Sequence, residues 1–152
     1  MLEIAAPSHN DSPPPNNIPA SDPLNTALVG RILVVEDDYL ISMEIEHTLT
    51  TAGFDVAVVA SGEQALIIAA AERPALTIMD IRLAGRMDGV DTALQLFQTY
   101  GLRSIFASAH SDSSIQARAA PAAPLGWLVK PYSPASLLAA VQAAFRSLQP
   151  PP

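Results

Sequence analysis

The sequence contains no cysteine, which excludes a disulfide framework, a thiol nucleophile and a thiolate-bound metal. Lysine is nearly absent too: of eight Lys and Arg residues, only Lys130 is lysine, and the formal charge is −7. Affinity for a nucleic-acid backbone rests on clustered cations, and no basic block exists here, so nucleic acid is not an expected partner. No stretch approaches the roughly 20 apolar residues that span a bilayer. The N-terminus also lacks the basic segment and apolar run of a signal peptide. A cytoplasmic protein without membrane contact is the expectation.

The 152 residues suffice for one ordinary domain with a real core. Residues 1–28 hold Pro7, Pro13, Pro14, Pro15, Pro19 and Pro23 among Ser, Asn and Asp. That composition removes backbone donors and offers little apolar surface, so it reads as a disordered tail, or secondarily as a ligand for a proline-recognising partner. The folded domain is expected over 29–148. A Pro-rich end, residues 149–152, stops the last helix.

From Val29 onward short apolar runs alternate with helical stretches, the pattern of an α/β domain with a parallel sheet. The first strand, Arg31 to Val35, is continuously apolar and suits burial on both faces. Asp38 can cap a helix that ends at Gly53 and carries Leu40, Ile41, Ile45, Thr48, Leu49 and Ala52 at helical spacing. Phe54 to Val59 is a second strand, and Ser61 with Gln64 begins a second helix in a capping-box pattern. Ala75 to Met79 is a third strand that delivers Asp80. A third helix runs from Val90 to Tyr100, with Val90, Ala93, Leu94 and Phe97 inward, and closes at Gly101. Asp88 reads as its cap. Ser104 to Ala107 is a fourth strand ending at Ser108. The fourth helix, Asp112 to Ala119, is shortened by Pro121 and Pro124 to about two turns. Trp127 to Val129 is a fifth strand ending at Lys130. Ser133 and Pro134 open a last helix with Leu137, Leu138, Val141 and Phe145 inward. Right-handed crossovers leave a flavodoxin-like doubly wound (βα)5 three-layer sandwich, with parallel sheet order 2-1-3-4-5, as the expected fold.

In that topology strands one and three are neighbours, so Glu36, Asp37 and Asp80 converge at the switch point where such sheets bind ligands. Three adjacent carboxylates repel one another unless a cation or a proton intervenes. Mg2+ suits oxygen-only ligands. Asp37 and Asp80 would bind it directly, Glu36 through water, and the Arg82 backbone carbonyl would complete the protein's half-shell. Lys130 can pair with Asp80 or a phosphoryl oxygen, and the Ser108 hydroxyl can donate to another. A carboxylate forms an acyl phosphate without a general base, which makes Asp80 the candidate nucleophile.

Val34-Val35-Glu36-Asp37, Met79-Asp80, Phe106-Ala107-Ser108-Ala109 and Val129-Lys130-Pro131 stand in the order and spacing of the bacterial response-regulator receiver domain, which residues 30–148 resemble. The resemblance implies two-component phosphorelay signalling rather than turnover of an external substrate. Asp80 would be the phosphoacceptor, Glu36 and Asp37 the magnesium-binding pair, Ser108 the switch hydroxyl and Lys130 the invariant-type lysine. The only chemistry would be self-catalysed phosphoryl transfer and autodephosphorylation. It implies a cis Lys130-Pro131 bond and a phosphohistidine donor on a sensor histidine kinase or a histidine phosphotransfer protein. Output would pass through protein contacts in a stand-alone, single-domain form, as a monomer or weak dimer. The alternative is a degenerate receiver that works as a phosphorylation-independent binding module.

Three departures from the family pattern stand out. The stretch after Asp80, Ile-Arg-Leu-Ala-Gly-Arg-Met-Asp-Gly, is one residue longer than the common receiver loop and lacks its Met-Pro, so Arg82 and Arg86 stand to alter access. Trp127 takes the place of the Tyr or Phe that swings inward in many receivers. The prolines also shorten the fourth helix. His110 reads first as a solvent-facing loop residue and second as a border of the phosphoryl pocket that would modulate acyl-phosphate lifetime. A haloacid-dehalogenase-type hydrolase is disfavoured because Arg82 stands where its second acid belongs, and a flavodoxin because no phosphate loop follows the first strand.

Overall fold

The computed structural model describes residues 30–109 and 112–151; the proline-rich segment 1–28 and His110 lie outside them. Five strands form one parallel sheet: β1 Arg31–Val35, β2 Asp55–Val59, β3 Leu76–Asp80, β4 Ser104–Ser108 and β5 Gly126–Val129. Their order is β2-β1-β3-β4-β5, as the alternation predicts. The helices are α1 Tyr39–Thr51, α2 Gly62–Glu72, α3 Gly89–Tyr100, α4 Ser113–Ala119 and α5 Pro134–Leu148, with a 3-10 turn at Ala120–Ala122 after α4.

Side chains alternate across each strand, so the apolar run of β1 feeds two cores. Ile32 and Val34 pack with Ile45 and Leu49 of α1 and Leu137, Val141 and Phe145 of α5. Leu33 and Val35 pack on the other face with Ala65 and Ala69 of α2 and Val90, Ala93 and Leu96 of α3. Covering both faces makes a three-layer sandwich and explains why β1 shows no polar alternation.

Caps fall where the sequence puts them. Asp38 accepts from the amides of Leu40 and Ile41, Ser61 from Gln64, Asp88 from Asp91 and Ser133 from Ser136. The degree of burial departs from the expected pattern at several positions. Leu40 of α1 is 73% exposed. In α3 it is Leu96 that is fully buried, while Leu94 and Phe97 are half-buried. In α5 Leu138 is half-buried and Ala144 is buried as well. Leu94, Phe97 and Leu138 still pack against the two cores, at the edge of each helix's buried stripe.

Gly89 fixes the geometry between β3 and α3. A Cβ at this position would overlap the carbonyl oxygen of Asp80, so only glycine lets the helix start against the strand end. The Gly89 N–H donates to the Ile81 carbonyl at 2.8 Å, closing the base of the intervening loop.

Candidate functional site

The parallel register carries four strand ends to one edge. β1 pairs with β3 through Val35 and Met79, β3 with β4 through Asp80 and Ala107, and β4 with β5 through Ser108 and Val129. Backbone bonds extend the ladders one step further: Glu36 N–H donates to Val59 O at 3.1 Å, Ile81 N–H to Ala107 O at 3.1 Å, and Lys130 N–H to Ser108 O at 2.8 Å. The side chains of Glu36, Asp80, Ser108 and Lys130 are thereby set by sheet backbone rather than by free loops.

Glu36, Asp37 and Asp80 meet as expected, each offering a carboxylate oxygen within 4.8 Å of the others. Glu36 and Asp80 are buried, 4% and 6% exposed, and Asp37 faces solvent. The Lys130 Nζ donates to Asp80 Oδ1 and to Glu36 Oε2, both at 3.2 Å. Glu36 Oε1 also accepts from Asp38 N–H at 3.1 Å, and Asp80 Oδ1 from Arg82 N–H at 3.4 Å. The outer carboxylate, Asp37, accepts from Ala84 N–H at 3.1 Å.

Burial raises the Glu36 carboxyl above its ordinary range and the Asp80 charge adds to the shift. Burial likewise raises Asp80, against the attraction of Lys130. One ammonium is therefore too little compensation for two buried carboxylates. Burial alone would lower Lys130, but Asp80 and Glu36 outweigh it and hold the ammonium above its usual value. The negative field reaches Tyr132, whose phenol is pushed up to about 12 by burial and then by Glu36 and Asp80. Uncompensated charge on oxygen-only donors is the environment a hard divalent cation fits. Asp37 and Asp80 would hold Mg2+, with Glu36 behind them.

A cavity of about 150 Å3 lies beside Asp80, lined also by Arg82, Ser108, Ile115 and Lys130. Ser108 is buried and Arg82 exposed. Its size suits a tetrahedral phosphoryl group rather than a large ligand. Trp127 turns inward: its ring stacks on Phe106 with centroids 4.8 Å apart and planes at 24°. The Lys130-Pro131 peptide is cis, in line with the family resemblance.

Three features escape the sequence reading. Phe106 and Trp127 are direct register partners on β4 and β5, a pairing that the sheet order together with the Ser108 and Lys130 strand ends would have revealed. Arg118 of α4 donates to Asp88 Oδ2 at 2.7 Å and Asp91 Oδ1 at 2.9 Å, clasping α4 to the start of α3. The Ala84 amide on Asp37 has no sequence signal, since any non-proline residue carries that donor.

Residues 32–142 match the family model described as the response regulator receiver domain. The transcriptional regulatory protein PdtaR of Mycobacterium tuberculosis is 31% identical over 121 residues, covering 79% of this chain and 58% of that protein. The DNA-binding response regulator MtrA of Mycobacterium leprae is 33% identical over 116 residues, covering 76% of this chain and 51% of that protein. The chain thus spans a little over half the length of the curated relatives it matches. Among solved structures, the signal receiver domain of a modulated diguanylate cyclase from Desulfovibrio desulfuricans superposes with a TM-score of 0.72 at 32% identity. That match covers 78% of this chain and 95% of the other. Sheet order, clustered acids and these matches agree, and the chain belongs to the response-regulator receiver domains.

Proposed function

We infer that this receiver, taken as residues 29–148, accepts a phosphoryl group on Asp80 from a phosphohistidine of a sensor histidine kinase or histidine phosphotransfer protein. The observation that carries the reading is the single ammonium of Lys130 bridging Asp80 and Glu36 at 3.2 Å beside a cavity of phosphoryl size. A carboxylate oxygen of Asp80 attacks phosphorus as the P–N bond to the imidazole breaks. The imidazole leaves with the electron pair and the aspartate becomes an acyl phosphate. Lys130 would exchange its bond to Asp80 for one to a phosphoryl oxygen, and Ser108 borders the same space. Bound Mg2+ would supply charge neutralisation for the oxygens of the transferring group. Water attacking the acyl phosphate returns the carboxylate and inorganic phosphate.

Output passes to protein partners rather than nucleic acid, supported by the −7 charge and the solitary lysine. The setting is cytoplasmic, and among the described residues no helix is long and apolar enough to cross a membrane. The test is phosphoryl uptake from acetyl phosphate or a phosphorylated kinase by the wild type and by Asp80→Asn, with and without Mg2+. Metal-dependent uptake by the wild type alone is expected. Undiminished uptake by the variant would identify a different acceptor.

A further inference from the structure

Of the three clustered carboxylates, two are fixed from several sides. Glu36 is held by Lys130 and the Asp38 amide, and Asp80 by Lys130 and the Arg82 amide. Asp37 is exposed, and among the described residues its one hydrogen-bond partner is the Ala84 amide at 3.1 Å. An exposed aspartate without a fixed donor turns freely about its side-chain torsions, and a ligand that must be ordered on binding loses affinity.

The donor reaches Asp37 because of how the loop between β3 and α3 is built. Its base is closed by Gly89 N–H on the Ile81 carbonyl. Leu83 is half-buried and packs on the core shared by α2 and α3. Gly85 follows in the left-handed region, φ +108, where a Cβ would stand 3.3 Å from a carboxylate oxygen of Glu63 in the first turn of α2. Ala84, between that half-buried anchor and that turn, is exposed and contributes to the site through its backbone N–H.

We propose that Ala84 is a positioning residue for the cation site: its amide aims the Asp37 carboxylate into the cluster, and the loop from 82 to 86 is the element that delivers it. The proposal rests on the metal-dependent reading of this receiver and adds a device to it. A charge-assisted N–H to carboxylate bond holds the Asp37 group, which offers an oxygen within 4.8 Å of those of Glu36 and Asp80; outer hydrogen-bond partners play this role for metal ligands. The coupling is reciprocal, so a cation that orders Asp37 also steadies the loop. Arg86, exposed in that loop, offers a tryptic site that reports the effect.

The experiment titrates MgCl2 into the full chain by calorimetry and follows tryptic cleavage after Arg86 with and without Mg2+. Wild type, Ala84→Pro, Ala84→Gly and Asp37→Asn are compared, with melting temperature recorded for each. Ala84→Pro, which lacks the N–H, is expected to bind Mg2+ about tenfold more weakly and to lose protection at Arg86. Ala84→Gly, which keeps the N–H, should match the wild type in both. If Ala84→Pro melts far below the wild type, a chain with lactate in place of Ala84 deletes the N–H alone and takes its place. Wild-type affinity, or tighter binding, in the N–H-deleted protein overturns the positioning role while leaving the metal site standing. A wild type that binds no Mg2+ overturns the metal reading and this proposal with it, and Asp37→Asn distinguishes binding at the cluster from binding elsewhere.

Discussion

Gly89 lies so close to Asp80 that a single methyl group on its Cα would occupy the space of the Asp80 carbonyl oxygen. The start of α3 and the end of β3 are in direct backbone contact, so the position of the Asp80 carboxylate depends on a residue with no side chain. Replacing Gly89 by Ala should destabilise the fold by about 2 kcal/mol through overpacking. Phosphoryl uptake should fall as well, because the strand end must shift. Urea denaturation and acetyl phosphate labelling of the same sample check both.

The acid cluster predicts a reversed effect for a conservative substitution. Asp80 sits above the ordinary carboxylate range despite Lys130, so its surroundings favour an uncharged group. Asp80→Asn should raise metal-free stability at neutral pH by about 1 kcal/mol, a few degrees in melting temperature. With raised folded-state values for Glu36 and Asp80, the native protein holds protons that the unfolded chain has released. Wild-type stability therefore falls as pH rises from the ordinary carboxylate range through the raised values. The variant's advantage should vanish below about pH 3.5, where Asp80 is protonated in both states. Mg2+ should stabilise the wild type at neutral pH and cease to do so on acidification. Denaturation curves at several pH values, with and without the ion, are the measurement.

Trp127 is the only tryptophan, and its stacking on Phe106 makes it a spectroscopic reporter. Phe106→Leu retains an apolar side chain and removes the aromatic face. Tryptophan emission should shift to the red while stability drops by 1 to 2 kcal/mol, roughly the cost of a hydrophobic swap with repacking. Unchanged emission would mean that the ring does not depend on Phe106 for its inward position.

Arg118 bridges two carboxylates of α3, yet its side chain is 45% exposed and that of Asp88 is 36% exposed. Solvent screening limits such a clasp to at most about 1 kcal/mol, so Arg118→Ala should cost no more than that at neutral pH. Burial would raise Asp88, but the Asp91 amide and Arg118 outweigh it and hold its carboxyl below the usual range. The contribution is thus present at neutral pH and lost as pH falls through that lowered value. An NMR titration should find the Asp88 carboxyl moved upward in the variant.

The architecture was legible because each element carried agreeing signals. Ser61 with Gln64 marked the start of α2, Pro134 the start of α5, and the unbroken Ile32 to Val35 run announced a strand covered on both faces. The convergence of Glu36, Asp37 and Asp80 followed once strands one and three were made neighbours. What remained hidden was set by tertiary geometry. Leu96 is fully buried while Leu94 packs half-buried against the same core, and helical periodicity alone does not rank the two. The Phe106 and Trp127 stack needs the register between two strands more than fifteen residues apart. The Ala84 amide on Asp37 depends on where a loop happens to pass, and backbone donors are present at nearly every position.

The solitary side-chain amine also makes this receiver chemically singular. Lys130 is 22% exposed and pinned between two acids, so any reagent or modifying enzyme that seeks a primary amine finds, beyond the α-amino group, only the residue that would hold the phosphoryl oxygens. Acylation there would erase the positive charge, leave Asp80 and Glu36 facing each other uncompensated, and so disable the proposed phosphoryl transfer. Conversely, tags for imaging or immobilisation must be attached through other chemistry if the molecule is to keep working.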